Sequence, residues 1–89
     1  MTGFLGMVPP EVDALANALR RKADEVDQLT QSITGRLEGT SWAGADRTAF
    51  EQQWSGELAN GLRQLSQTLR DTGEVAAANA QQQRDVSGS

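Results

Sequence analysis

Apolar positions in the first half of the chain fall at Val12, Leu15, Leu19, Ala23, Val26, Leu29, Ile33 and Leu37. The steps between them are 3, 4, 4, 3, 3, 4 and 4, a mean of about 3.6, which is the repeat of an α-helix carrying one apolar stripe. Asn17, Arg20, Arg21, Asp24, Gln28 and Gln31 occupy the other side. Pro9 and Pro10 suit a first helical turn, and Glu11 and Asp13 favour the positive end of a helix dipole. The pattern predicts a helix over residues 9–38, closed by Gly39. A second stripe runs Phe50, Trp54, Leu58, Leu62, Leu65, Leu69, Thr72, Ala76 and Ala80, with steps of 4, 4, 4, 3, 4, 3, 4 and 4. It predicts a helix over 45–80 that weakens after Leu69, where Thr and Ala replace Leu. Gly56, Gly61 and Gly73 each cost such a helix about 1 kcal/mol relative to Ala. At Gly56 and Gly61 that cost stands beside the alternative of a close helix contact.

No segment alternates with period two, so the fold class is all-α: a single domain, residues 1–89, built as an antiparallel helix–turn–helix hairpin. Residues 1–8 read as a flexible, Gly-punctuated arm, 39–44 as the turn, and 81–89 as a flexible polar tail. Two helices can set their stripes together and still leave half of each stripe wet. A second hairpin would cover the remainder and complete a four-helix bundle. The expected core of hairpin or dimer is therefore Val12, Leu15, Leu19, Val26, Leu29, Ile33, Leu37, Phe50, Trp54, Leu58, Leu62, Leu65 and Leu69.

Composition sharpens this picture. Hydrophobic residues make up 37% of 89 positions, and twelve of them are Ala, so large apolar side chains are scarce and a partner is needed to complete the core. With no Cys and no His, neither a disulfide nor an ordinary zinc or haem site is available, and no metal or cofactor is expected. Asp24, Glu25 and Asp27 point in different directions, because helical neighbours differ by about 100°. They read as a solvated face. Ser41 has no His to act as its base, which makes an enzyme an unfavoured reading. A net charge of −4 argues against nucleic acid as partner. No apolar run is long enough to span a bilayer, and Met1 to Pro10 lack the basic segment and long apolar core of an ordinary signal peptide.

Trp42-Ala43-Gly44 lies between the two stripes, and Phe50 and Trp54 follow it at helical spacing. Glycine at 44 admits a backbone conformation, or a close approach, that a Cβ would forbid. The stretch Ser41-Trp42-Ala43-Gly44-Ala45-Asp46-Arg47-Thr48-Ala49-Phe50-Glu51-Gln52-Gln53-Trp54 closely resembles the WXG family of small, early-secreted-antigen-type proteins exported by type VII secretion systems. Leu15 to Arg20 and Ala23 to Asp27 are similar to the first helix of actinobacterial members, so the resemblance covers about residues 7–83. It implies a hairpin that pairs with itself or with a sister protein. It implies cytoplasmic synthesis, then export in folded form through a membrane ATPase complex without a cleaved signal peptide. The protein would then act as secreted effector or co-secreted chaperone.

The motif residues carried over are Trp42 and Gly44, which in the family contribute to a recognition surface shared with the partner's long helix. Trp42→Ala is expected to cost on the order of 3 kcal/mol if the ring is well buried, and to reduce export or partner recognition. Many family pairs carry a Tyr-Xaa-Xaa-Xaa-Asp/Glu export signal after the second helix. This chain has no Tyr, and Gln81 with Asp85 is the nearest, degenerate counterpart. A homodimer is slightly preferred over a heterodimer with another WXG-type protein, since both stripes are continuous. The alternatives are an intracellular adaptor or toxin-binding partner, and an amphipathic protein whose stripes lie on a bilayer surface. The acidic balance argues against stable membrane binding.

Overall fold

The computed structural model describes residues 6–88. Residues 1–5 of the predicted arm and Ser89 lie outside the described residues, as do the side chains of 87 and 88. Helix α1 spans Pro9–Glu38, α2 spans Ala45–Gln53, a π-helical turn spans Trp54–Leu58, and α3 spans Ala59–Gly88. Apart from the ends and the turn at 39–44 the described residues are helical, with no strand among them. The α1 and α3 helices pack against each other as a hairpin, 66 × 18 × 16 Å overall.

Local chemistry explains the ends of these elements. Val8 holds an extended backbone before Pro9 and Pro10, and its carbonyl accepts the N–H groups of Glu11 and Val12 at 3.0 and 3.1 Å. The two prolines have no N–H, so the first turn leaves fewer donors unpaired. Gly39 caps the other end with φ −85°, and its N–H donates to the Gly35 carbonyl at 3.0 Å. The helix therefore ends without the left-handed residue that often closes helices.

The contact line between α1 and α3 is made of small side chains. Ala16 and Ala23 of α1 are buried, as are Ala59, Ser66, Gly73 and Ala80 of α3. The α3 set recurs every seven residues, which keeps it on one side of the helix. Backbones come close where these residues meet: a Cβ added to Gly73 would stand 3.1 Å from the Ala16 carbonyl oxygen. Gly73 thus supplies the close approach weighed above for Gly56 and Gly61, which both face open space.

The stripes of large residues lie beside this seam rather than along it. Of the thirteen positions assigned to the hairpin or dimer core, only Trp54 is buried within the hairpin. Leu15, Leu29, Leu58 and Leu65 are 55, 49, 45 and 46% exposed. The physical reason is geometric: two helices whose backbones nearly touch have no room between them for Leu, so the larger chains splay to the flank. A second difference concerns the tail. Helix α3 continues through Gly88, where the sequence suggested a flexible segment from Gln81. Arg84 reaches Asp13 of α1 in an ion pair, and Gln81 Nε2 donates to Asp85 Oδ1 at 2.9 Å, so the last turns are tied both across and along the helix.

The second helical run is also not a single α-helix. Trp54 lies five residues before the seam residue Ala59. On an uninterrupted α-helix it would point about 140° away from the seam. The π-helical turn holds more residues per turn and so rotates less per residue. It brings the Trp54 ring to 6% exposure against α1.

Candidate functional site

The small-residue seam divides the hairpin surface into two unlike faces. The cross-helix ion pairs show which flanks belong together. Arg70 Nη2 lies 2.9 Å from Asp24 Oδ1 and 2.6 Å from Asp27 Oδ2, and Arg84 pairs with Asp13. Arg63, Arg70, Ala77 and Arg84 follow one another at intervals of seven, one row on α3 beside the seam. Asp13, Arg20, Asp27 and Thr34 form the matching row on α1. This is the polar face. It corrects the reading of Asp24 and Asp27 as merely solvated, since both converge on one guanidinium. Hydrogen bonding by Arg70, and secondarily by Ser66, holds the Asp27 carboxyl below its ordinary range against the opposing effect of burial. The same contacts, with Asp27 first and Asp24 second, raise Arg70 above its ordinary value. Glu25 pairs instead with Lys22 on its own helix, at 3.0 Å.

The opposite flanks of both helices form the other face. It carries Leu15, Leu19, Val26, Leu29 and Ile33 from α1, Leu58 from the π-helical turn, and Leu62, Leu65 and Leu69 from α3. Its residues are half-buried or exposed, with Leu15 the most open of these nine. The leucines stop at Leu69, and Thr72 and Ala76 continue the flank toward the chain ends. The apolar strip thus lies on one side of the rod and the cross-helix ion pairs on the other.

The turn end has its own geometry. Gly44 sits at φ +110°, a conformation L side chains rarely adopt, and nothing lies within 4 Å of a Cβ placed there. Of the two reasons considered for this glycine, the backbone conformation applies and close approach does not. The Gly44 carbonyl accepts the Thr48 N–H at 3.1 Å and so starts α2. Arg47 holds the loop from inside that helix: its Nη1 donates to the Trp42 carbonyl at 2.7 Å and the Thr40 carbonyl at 3.2 Å, while its Nε pairs with Glu51. Trp42 and Phe50 lie with ring centroids 5.6 Å apart and tilted by 49°. These rings are 40 and 38% exposed, so Trp42 is not well buried in the single chain, and the loss first set for Trp42→Ala does not apply to it. Trp54 turns the other way, and its Nε1–H donates to Thr34 Oγ1 at 3.0 Å. The Thr34 hydroxyl in turn donates to the Thr30 carbonyl at 2.9 Å.

The sequence-derived site residues thus fall into separate places. Trp42, Gly44 and Phe50 share the tip, Trp54 enters the inter-helix contact, the leucines form one face, and Gln81 and Asp85 lie one turn apart near the end of α3. Sequence reasoning missed Arg47, whose clamp on the loop orders the motif, and the Arg70–Asp24–Asp27 cluster. The spacing of Arg63, Arg70 and Arg84 at multiples of seven was the available signal for the second. No helix of the described residues is long and apolar enough to cross a membrane. No family model, curated protein or solved structure matches the chain.

Proposed function

We propose that this chain is a non-enzymatic hairpin of the WXG type that pairs through its leucine face into a four-helix bundle. In this reading it serves a type VII secretion system as substrate or co-exported chaperone. The observation that carries the reading is the leucine face itself. Nine large apolar side chains from both helices line one side of a rod whose inter-helix seam is already filled by Ala, Ser and Gly. Burying such side chains releases about 25 cal/mol per Å² of apolar surface, and the single hairpin leaves much of that gain unused. A second copy is the favoured partner, a sister hairpin the other. The motif at the tip supports the family reading: Gly44 and Arg47 hold the loop backbone, and the partly exposed Trp42 and Phe50 rings pack against each other there. Lacking a Tyr-based signal, the chain would depend for export on a partner or on Gln81 and Asp85.

Sedimentation equilibrium of the purified chain tests the pairing. A species of twice the chain mass that Leu29→Asp and Leu65→Asp return to monomer is expected. A monomer at all concentrations removes the self-paired bundle. Export is tested separately in the native host: the extracellular level should fall when the secretion ATPase is deleted, and an unchanged level removes the secretion role.

A further inference from the structure

The small-residue seam does not by itself fix how far along each other the two helices lie. Ala16 and Ala23 are seven residues apart, as are successive members of Ala59, Ser66, Gly73 and Ala80, so a slip of one such repeat brings small side chains together again. Residues 39–44 between α1 and α2 can span about 20 Å when extended, and the slip is about 10 Å. The charged rows on the polar face do not repeat in the same way. Along α1 the row reads Asp13, Arg20, Asp27, Thr34; along α3, which runs antiparallel, it reads Arg84, Ala77, Arg70, Arg63. Arg84 meets Asp13, and Arg70 meets Asp27 and Asp24. Ala77 lies midway between those two arginines, as Arg20 lies midway between Asp13 and Asp27, so Ala77 and Arg20 stand level. The Arg20 stem rests one turn away, with its Cγ 3.5 Å from a Cβ placed on Gly73. Alanine thus interrupts the arginine row at the level where α1 presents an arginine.

We propose that this interruption locks the axial register of the hairpin. In the register observed, two arginines of the α3 row meet carboxylates, and no two charges of one sign share a level in these rows. A slip of α3 by one repeat toward the chain ends pairs Asp27 with Arg63, but it sets Arg20 against Arg70 and Asp13 against Ala77. A slip the other way sets Arg20 against Arg84, Asp27 against Ala77 and Arg70 against Thr34. Each slip brings two guanidiniums level and leaves fewer ion pairs. Exposed pairs contribute little to stability one at a time. Between helices they nonetheless choose the alignment, through the difference between matched and clashing arrangements. At the turn end Trp54 adds its own restraint through Thr34, and the charged rows act along the rest of the seam. The register also governs the apolar flank, since a slip carries Leu62, Leu65 and Leu69 about 10 Å past the leucines of α1. The lock belongs to the single hairpin and does not rest on the function proposed above.

The test is pulsed electron–electron distance measurement on the full chain, spin-labelled through Ser32→Cys and Ala78→Cys and diluted into unlabelled chain. Both positions are exposed, and the chain has no other Cys. Arg20→Asp with Ala77→Arg makes both rows uniform, so the observed register and the slip toward the chain ends then offer equal numbers of pairs. The natural chain, and Trp54→Leu alone, should each give one distance. Trp54→Leu combined with Arg20→Asp and Ala77→Arg should add a second population about 10 Å longer. One distance in that combined variant overturns the lock, and so do two distances in Trp54→Leu alone. A second measurement leaves Trp54 in place. Ala77→Glu should show a higher urea midpoint than Ala77→Arg in the natural chain, and Arg20→Glu should reverse that order. An order that Arg20→Glu leaves unchanged overturns the facing of Arg20 and Ala77 on which the lock depends.

Discussion

The two ends of the hairpin solve the same packing problem in opposite ways. Toward the chain ends, Ala16 meets Gly73, and the two helices approach until a single added carbon would press on a carbonyl. Toward the turn, Trp54 fills the space between the helices, and a one-turn change of helix type is needed to aim it there. Small residues hold the helices together by leaving room for backbone against backbone. The indole holds them by filling the contact with one large group and by anchoring its N–H on Thr34. The first end depends on what is absent from the side chain, the second on one large group in one orientation.

Breaking the turn end should have the largest effect. Trp54→Ala removes the one large side chain buried within the hairpin among the described residues and leaves the Thr34 hydroxyl without its donor. Urea unfolding should show a loss of about 3–5 kcal/mol. Overfilling the other end comes next. Gly73→Val places carbon against the Ala16 carbonyl and should cost about 1–3 kcal/mol by the same measurement. Gly61→Ala faces open space within the same helix and should instead stabilise by up to about 1 kcal/mol. If both glycine substitutions acted alike, the close approach would have no energetic meaning. The smallest effect concerns the ion pairs that stitch the polar face between the two ends. The Asp27 carboxyl titrates below its ordinary value of 3.8 in the folded chain. Its contribution is therefore present above that value and is lost as pH falls through the lower folded one. Acid melting curves should show a steeper loss of stability below about pH 4 for the natural chain than for Asp27→Asn.

The helical hairpin is legible in the sequence because its signal is strong and local. Val, Leu and Ile recur at helical spacing, Pro9 and Pro10 mark a start, and Gly39 and Gly44 bracket the turn. The line along which the helices touch is harder to read. Ala, Ser and Gly carry little hydrophobic weight, so the sevenfold recurrence of Ala59, Ser66, Gly73 and Ala80 is easily overshadowed by the leucines beside it. Periodicity identifies an apolar flank, but it does not distinguish the part that meets the other helix from the part left to a partner. The π-helical turn did leave a trace. Phe50, Trp54, Leu58 and Leu62 are separated by three successive steps of four, and each such step drifts about 40° on an α-helix. At the tip, the need for glycine at 44 could be anticipated, while the Arg47 clamp depends on backbone carbonyls whose positions only the folded loop defines.

The π-helical turn also separates two frames of reference along one continuous helix. Before it, α2 and the Trp42–Phe50 pair keep the phase set by Gly44; after it, α3 keeps the phase set by Ala59 and its heptads. A residue gained or lost between them would rotate the tip by about 100° about the helix axis and leave every seam contact in α3 where it was. Variation in length at this one place is thus a route by which related sequences could re-aim their aromatic tip without rebuilding the rod beneath it.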